Sequence, residues 1–254
     1  MKTFTRISLI LASVLGVVGL SCIIAAFAMG LNFTNIKGMI ADGFFTFDSS
    51  DFDFDFGETS GESSEKIIAE DCEKMEIEFG AGQLDIYYDD VDEIQVKWVN
   101  LSNLKIEVKN GSLQIGEKGV NLSIGVNEER KMEIILPRGT QFELVDLEVG
   151  AGQATIKGLN TEKFDLEVGA GQVDVLDLVI EKMDLEVGAG QINAKLSGAQ
   201  EDYNYKVNCG IGRVEVGSNS YGGLGAEQSV KNDDATKEMD IDCGVGEVKI
   251  QFEK

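Results

Sequence analysis

From residue 74 to residue 250 the chain alternates apolar and polar positions in short runs, and a Gly-x-Gly triplet interrupts six of them. The string Leu-Glu-Val-Gly-Ala-Gly-Gln occurs three times, with its first glycine at Gly150, Gly169 and Gly188, a spacing of 19 residues. Degenerate copies begin at Gly80, Gly210 and Gly244, and the second glycines of the six triplets are Gly82, Gly152, Gly171, Gly190, Gly212 and Gly246. Alternation with a period of two is the mark of a strand with one buried face.

Aligning the six copies gives three apolar columns before the triplet. The first holds Met75, Val145, Phe164, Met183, Tyr205 and Met239; the second Ile77, Leu147, Leu166, Leu185, Val207 and Ile241; the third Phe79, Val149, Val168, Val187, Cys209 and Cys243. Two more follow it, Leu84, Ala154, Val173, Ile192, Val214 and Val248, then Ile86, Ile156, Val175, Ala194, Val216 and Ile250. One strand enters each corner and another leaves it. A unit of about 19 residues cannot bury such a stripe alone, so the units must stack through parallel ladders. The expected fold is all-β, a single β-solenoid or β-helix-like roll with Gly-x-Gly corners, the glycines serving the bend between strands. A strand after each corner, in place of a helix, argues against a nucleotide loop. Gln83, Gln153, Gln172 and Gln191 are expected to hydrogen-bond up the stack.

Two stretches depart from the repeat. Between the first and second corners, residues 94–98 read as a strand, Asn110-Gly111 as a hairpin turn, and residues 132–137 as a strand closed by the only proline, Pro137, together a cap or flat sheet. Residues 217–237, polar and glycine-rich with Tyr221, interrupt the stack before its last coil.

Ahead of the repeat, residues 7–30 are almost wholly apolar, long enough to span a hydrocarbon core as a helix. Lys2 and Arg6 precede them, so residues 1–6 are expected in the cytoplasm and the body outside, in a single-pass membrane protein. Secretion after cleavage near Ala28 is the alternative, and lipidation at Cys22 is disfavoured because the apolar run continues past it. Residues 31–66, acidic and serine-rich with an alternation of phenylalanine and aspartate at 52–56, read as a flexible stalk or, at the alternation, an edge strand; 67–254 form the extracytoplasmic body.

Composition narrows the chemistry. With 22 basic and 45 acidic residues the formal charge is -23, which repels nucleic acid. The chain has no histidine, which removes Ser-His and Cys-His catalytic pairs and imidazole metal ligands. The four cysteines, Cys22, Cys72, Cys209 and Cys243, show no metal or redox spacing, although Cys209 and Cys243 share a column where a bridge or two buried thiols would fit. Asp146, Asp165 and Asp184 form one outward column and Glu148, Glu167 and Glu186 another, read as a solvated acidic face or a weak calcium site. In Gly169-Ala170-Gly171-Gln172-Val173-Asp174 the aspartate is one position away from the calcium-binding nonapeptide pattern. No other cofactor is expected, and Arg130, Arg138 and Arg213 lie away from the regular acidic columns, against catalysis by a polysaccharide-acting enzyme.

Ile-Leu-Pro-Arg-Gly-Thr at 135–140, the Val-Gly-Ala-Gly-Gln corners, Asp202-Tyr203-Asn204-Tyr205 and the closing Cys-Gly-Val-Gly-Glu-Val at 243–248 together resemble the putative-adhesin family of bacterial β-strand-repeat domains, over residues 70–253. The resemblance implies an extracytoplasmic β-solenoid with adhesion as its role, and no catalytic residues. It implies as the alternative a sensing or regulatory module of a Gram-positive envelope-stress system. The expected partners are the membrane, through the N-terminal helix, and a protein or cell-wall polymer.

Overall fold

The structure is a computed structural model that describes residues 63–101, 104–117 and 130–253. The anchor expected at 7–30, Cys22 and the phenylalanine alternation at 52–56 lie outside the described residues. Among the described residues no helix is long and apolar enough to cross a membrane.

The strands are β1 (Ser63–Ile68), β2 (Lys74–Asp89), β3 (Ile94–Val99), β4 (Leu104–Lys109), β5 (Ser112–Glu117), β6 (Lys131–Pro137), β7 (Phe142–Lys157), β8 (Thr161–Val168), β9 (Gln172–Leu178), β10 (Lys182–Val187), β11 (Gln191–Ser197), β12 (Tyr203–Val216), β13 (Asn219–Val230), β14 (Lys237–Cys243) and β15 (Glu247–Glu253). A 3-10 turn, Gln200–Asp202, precedes β12. β1 begins inside the span read from the sequence as stalk.

The alternating columns become two parallel ladders. Entering strands pair in the order β2, β7, β8, β10, β14, β12, and the three apolar columns before the corner stay in register throughout. Leaving strands pair as β2, β7, β9, β11, β15, β12, again in register except for an irregularity between β9 and β11. Every residue of the five columns is buried, and the inward side chains of both ladders belong to one hydrophobic cluster.

Two features depart from a simple open stack. β2, β7 and β12 run through their corners without a break, so each belongs to both ladders. Pairing therefore closes a ring of eight parallel strands, β7-β8-β10-β14-β12-β15-β11-β9 and back to β7. The units also do not stack in chain order, because β14 lies between β10 and β12, and β15 between β11 and β12. The cause is the second excursion: its residues form β13, which folds back antiparallel along β12 from Tyr205 to Val216 and occupies one of its edges. The last coil takes the other edge, inside the stack.

The first excursion forms the opposite end. Asn110 (φ 52) and Gly111 (φ 75) make the expected tight turn between antiparallel β4 and β5, and β5 pairs with the entering half of β2. β1, β3 and β6 extend the leaving ladder, with β6 parallel to β2.

The corner glycines are explained by stacking more than by bending. A Cβ on Gly150, Gly169, Gly188, Gly244 or Gly210 would stand 2.6–2.8 Å from the carbonyl oxygen of the corresponding glycine in the neighbouring coil. At the second positions the distances are 2.2–2.6 Å, for Gly152, Gly171, Gly190, Gly246 and Gly212. Of all twelve, only Gly82 (φ 127) and Gly152 (φ 143) have backbone angles that disfavour a side chain. The chain bends at residues 169–170, 188–189 and 244–246, but passes the other three corners as continuous strand, and at every neighbouring pair of corners the close approach of successive backbones is what excludes other residues.

Candidate functional site: an acidic face of stacked strands

On the entering ladder, the positions between the buried columns point outward. The parallel register places Glu76, Asp146, Asp165, Asp184 and Asp240 in one line and Glu78, Glu148, Glu167, Glu186 and Asp242 in the next. All six acidic residues expected from the sequence are thus brought together in two neighbouring lines. Four more had been missed there, Glu76, Glu78, Asp240 and Asp242, although they occupy the same alignment positions in degenerate repeats. The lines end at Lys206 and Asn208 on β12, and Asn208 donates to Asp242 Oδ1 at 2.6 Å.

Strands in a sheet lie about 4.8 Å apart, so ionised carboxylates in one line repel their neighbours unless a cation or a proton intervenes. Part of the first line is neutralised. Lys163 Nζ donates to Asp165 Oδ2 at 2.5 Å and reaches Asp184 Oδ2 at 3.2 Å, and these two hydrogen bonds hold its ammonium above the usual lysine range. Where no lysine reaches, the repulsion remains. Burial, reinforced by Glu186 and Glu148, raises the Glu167 carboxyl above its ordinary value. Burial also raises Asp146, with Asp165 and Glu76 adding to it against Lys163, and raises Asp240, with Lys206 opposing Asp242 and Asp184.

At the first end of the face, Glu76, Glu78, Glu107, Glu117 and Lys105 line a shallow open groove of about 230 Å³. Ser112 Oγ and Gln114 Nε2 each donate to Glu76 at 2.9 Å. Glu117 pairs with Arg130 at 2.5 Å, with side chains 1% and 15% exposed, and burial raises its carboxyl while the guanidinium pulls it back. Arg130 Nε donates to Ala81 O at 3.1 Å, and Arg130 O accepts from Gln83 N at 2.9 Å, so this residue caps the first corner where no further glycine stacks. Arg138 lies 3.7 Å from Asp89 and Arg213 3.4 Å from Glu215. None of the three arginines contacts the two acidic lines in these pairs.

The four corner glutamines are register neighbours, as expected, but their bonds run along strands: Gln83 Nε2 to Asp85, Gln172 Nε2 to Asp174 and Gln191 Nε2 to Asn193, at 2.9, 3.1 and 3.3 Å. The step between coils is instead made by Asn193 Nδ2 to Asp174 Oδ1 at 2.7 Å. Among the described residues, no three acidic or cysteine side chains are grouped so that they could hold a metal ion.

The ladder arrangement has known counterparts. Residues 72–254 match the family described as Toastrack DUF4097. The chain belongs to this family. Among solved structures, a putative cell adhesion protein from Clostridium sporogenes is 23% identical, with 76% of this chain and 100% of that one covered and a TM-score of 0.56. A putative adhesin from Bacteroides fragilis is 13% identical over 76% of this chain and 98% of its own, with a TM-score of 0.33. A putative lipid binding protein from Parabacteroides distasonis is 14% identical over 78% of this chain and 98% of its own, with a TM-score of 0.27. The Clostridium structure shares the fold with this Toastrack chain. No curated protein matches it.

Proposed function

We propose that this Toastrack chain is a non-catalytic, adhesin-type binding module, held outside the cell by its N-terminal segment, that presents its acidic face to a cationic partner at a cell or wall surface. The body is a solenoid-like roll of about 19-residue coils closed into a ring. The observation that carries the reading is the pair of in-register acidic lines on β2, β7, β8, β10 and β14. A rigid row of like charges focuses attraction on a polycation and steers it over distances that salt shortens. The fold shared with a putative cell adhesion protein agrees with this role. The absence of histidine and the engagement of Arg130, Arg138 and Arg213 in carboxylate pairs support the non-catalytic reading, since they take away imidazole chemistry and a free guanidinium beside the acidic lines.

The test is a pull-down from envelope fractions with the full chain in detergent, beside a variant carrying Glu148→Gln, Glu167→Gln and Glu186→Gln. A cationic wall polymer or surface protein should be retained at low salt and released both at high salt and by the variant. Retention indifferent to salt and to the three substitutions would reject the acidic face as the contact. Capture of a membrane signalling protein alone would favour the regulatory alternative.

A further inference from the structure

Cys209 ends the entering half of β12 and Cys243 ends β14, and the two are register partners on adjacent parallel strands. Both face the core, 2% and 3% exposed, and both are free thiols. The same column carries Phe79, Val149, Val168 and Val187 in the other coils, so packing there asks only for an apolar side chain. Cysteine occurs at the two coils that touch, one of which is the C-terminal coil inserted out of chain order.

We propose that Cys209 and Cys243 form a reversible disulfide that clasps the C-terminal coil to β12. The spacing of paired strands, about 4.8 Å, lies within the Cα separation that a disulfide spans. The Cβ atoms must close by roughly an ångström, and Gly210 and Gly244, the next residues, have no side chains to resist it. With oxidised glutathione as oxidant, one cysteine thiolate attacks the donor disulfide and displaces a glutathione thiolate. The second cysteine thiolate then attacks the mixed disulfide and displaces the other. Two protein thiols are oxidised, one small disulfide is reduced, and the two protons leave with the two glutathione thiols. Burial and the neighbouring Cys209 push the Cys243 thiol up to about 11. The exchange is therefore fast as the coil docks and slow once it is packed.

The experiment refolds the full chain from denaturant with reduced and oxidised glutathione, quenches with a maleimide mass tag under denaturing conditions, and maps the peptides. Expected is protection of two of the four cysteines, a peptide joining Cys209 to Cys243, and a Tm about 5–15 °C higher without reductant than with it. Cys243→Val, which copies the residue of the regular coils, should leave Cys209 taggable and abolish the reductant-sensitive part of Tm. Should that variant fail to fold, Cys209→Val and the wild type with and without reductant give the same readout. A folded chain in which both cysteines take the tag, each carries glutathione, or either pairs with Cys22 or Cys72 would overturn the proposal. The outcome is independent of what the acidic face binds.

Discussion

A methyl group added at Gly190 would stand 2.4 Å from the carbonyl oxygen of Gly171 and 3.0 Å from Cγ1 of Val168. Neither atom belongs to a long flexible side chain, so the two coils must separate locally. Gly139 is the contrast, with φ 86 and nothing within 4 Å of an added Cβ. We expect Gly190→Ala to cost about 2–3 kcal/mol, in the range of overpacking, and Gly139→Ala about 1 kcal/mol, the backbone penalty alone. Urea denaturation of both variants measures the difference, and a cost at Gly190 no larger than at Gly139 would mean that the close approach of the backbones does not select the corner glycines. The recurrence of these glycines was legible in the sequence, whereas their reason was not: a contact between backbones 19 residues apart leaves no trace except the missing side chain. The glutamines illustrate the same limit. Their register followed from the repeat, but the choice of Asp85 over a neighbouring glutamine as acceptor depends on side-chain reach.

For the strands, the sequence carried the buried columns in full, because a period of two and a constant spacing state which side chains share a face. The order of the coils was not carried. An alignment of repeats is indifferent to order, and the information that reverses the last two sits in the irregular residues 217–237, whose pairing with β12 is antiparallel and non-repetitive. This has a measurable consequence. A final coil at the end of a stack frays, having a partner on one side only. β14 has partners on both sides, and Ile241 in its middle is fully buried. Amide hydrogen exchange in β14 should therefore be as slow as in β10, while β13, paired on one side and rich in glycine, exchanges fastest of the three. Fast exchange throughout β14 beside a protected β13 would contradict the inserted order.

Across the whole molecule the acidic face sets how stability responds to pH. Glu167, between Glu148 and Glu186, Asp146, facing Glu76, Asp165 and Lys163, and Asp240, facing Asp184 and Lys206, all have carboxyls raised in the folded state, with burial the largest cause. A carboxyl whose folded value exceeds its unfolded value binds protons more tightly when folded, so its contribution is fully present below the unfolded value and lost as pH rises through the folded one. Lys163 is raised too, but what it contributes is lost only above the ordinary lysine range and leaves the neutral region untouched. Melting temperature should therefore be level through the neutral region and climb as pH falls to just above the ordinary carboxylate range, opposite to a protein whose carboxylates are held low by cations. Added salt at pH 8 should produce part of the same rise, because the screening length shrinks from about 10 Å at 0.1 M to about 3 Å at 1 M. Glu167→Gln removes a charge between two others without breaking an ion pair, and should raise stability at pH 8 by a few tenths of a kcal/mol, up to about 1 kcal/mol, while flattening the pH response. A melting temperature that instead falls steadily from pH 8 to 5 would show that the lines are neutralised by cations the chain itself provides, and a face so neutralised would have little left with which to attract a cationic partner.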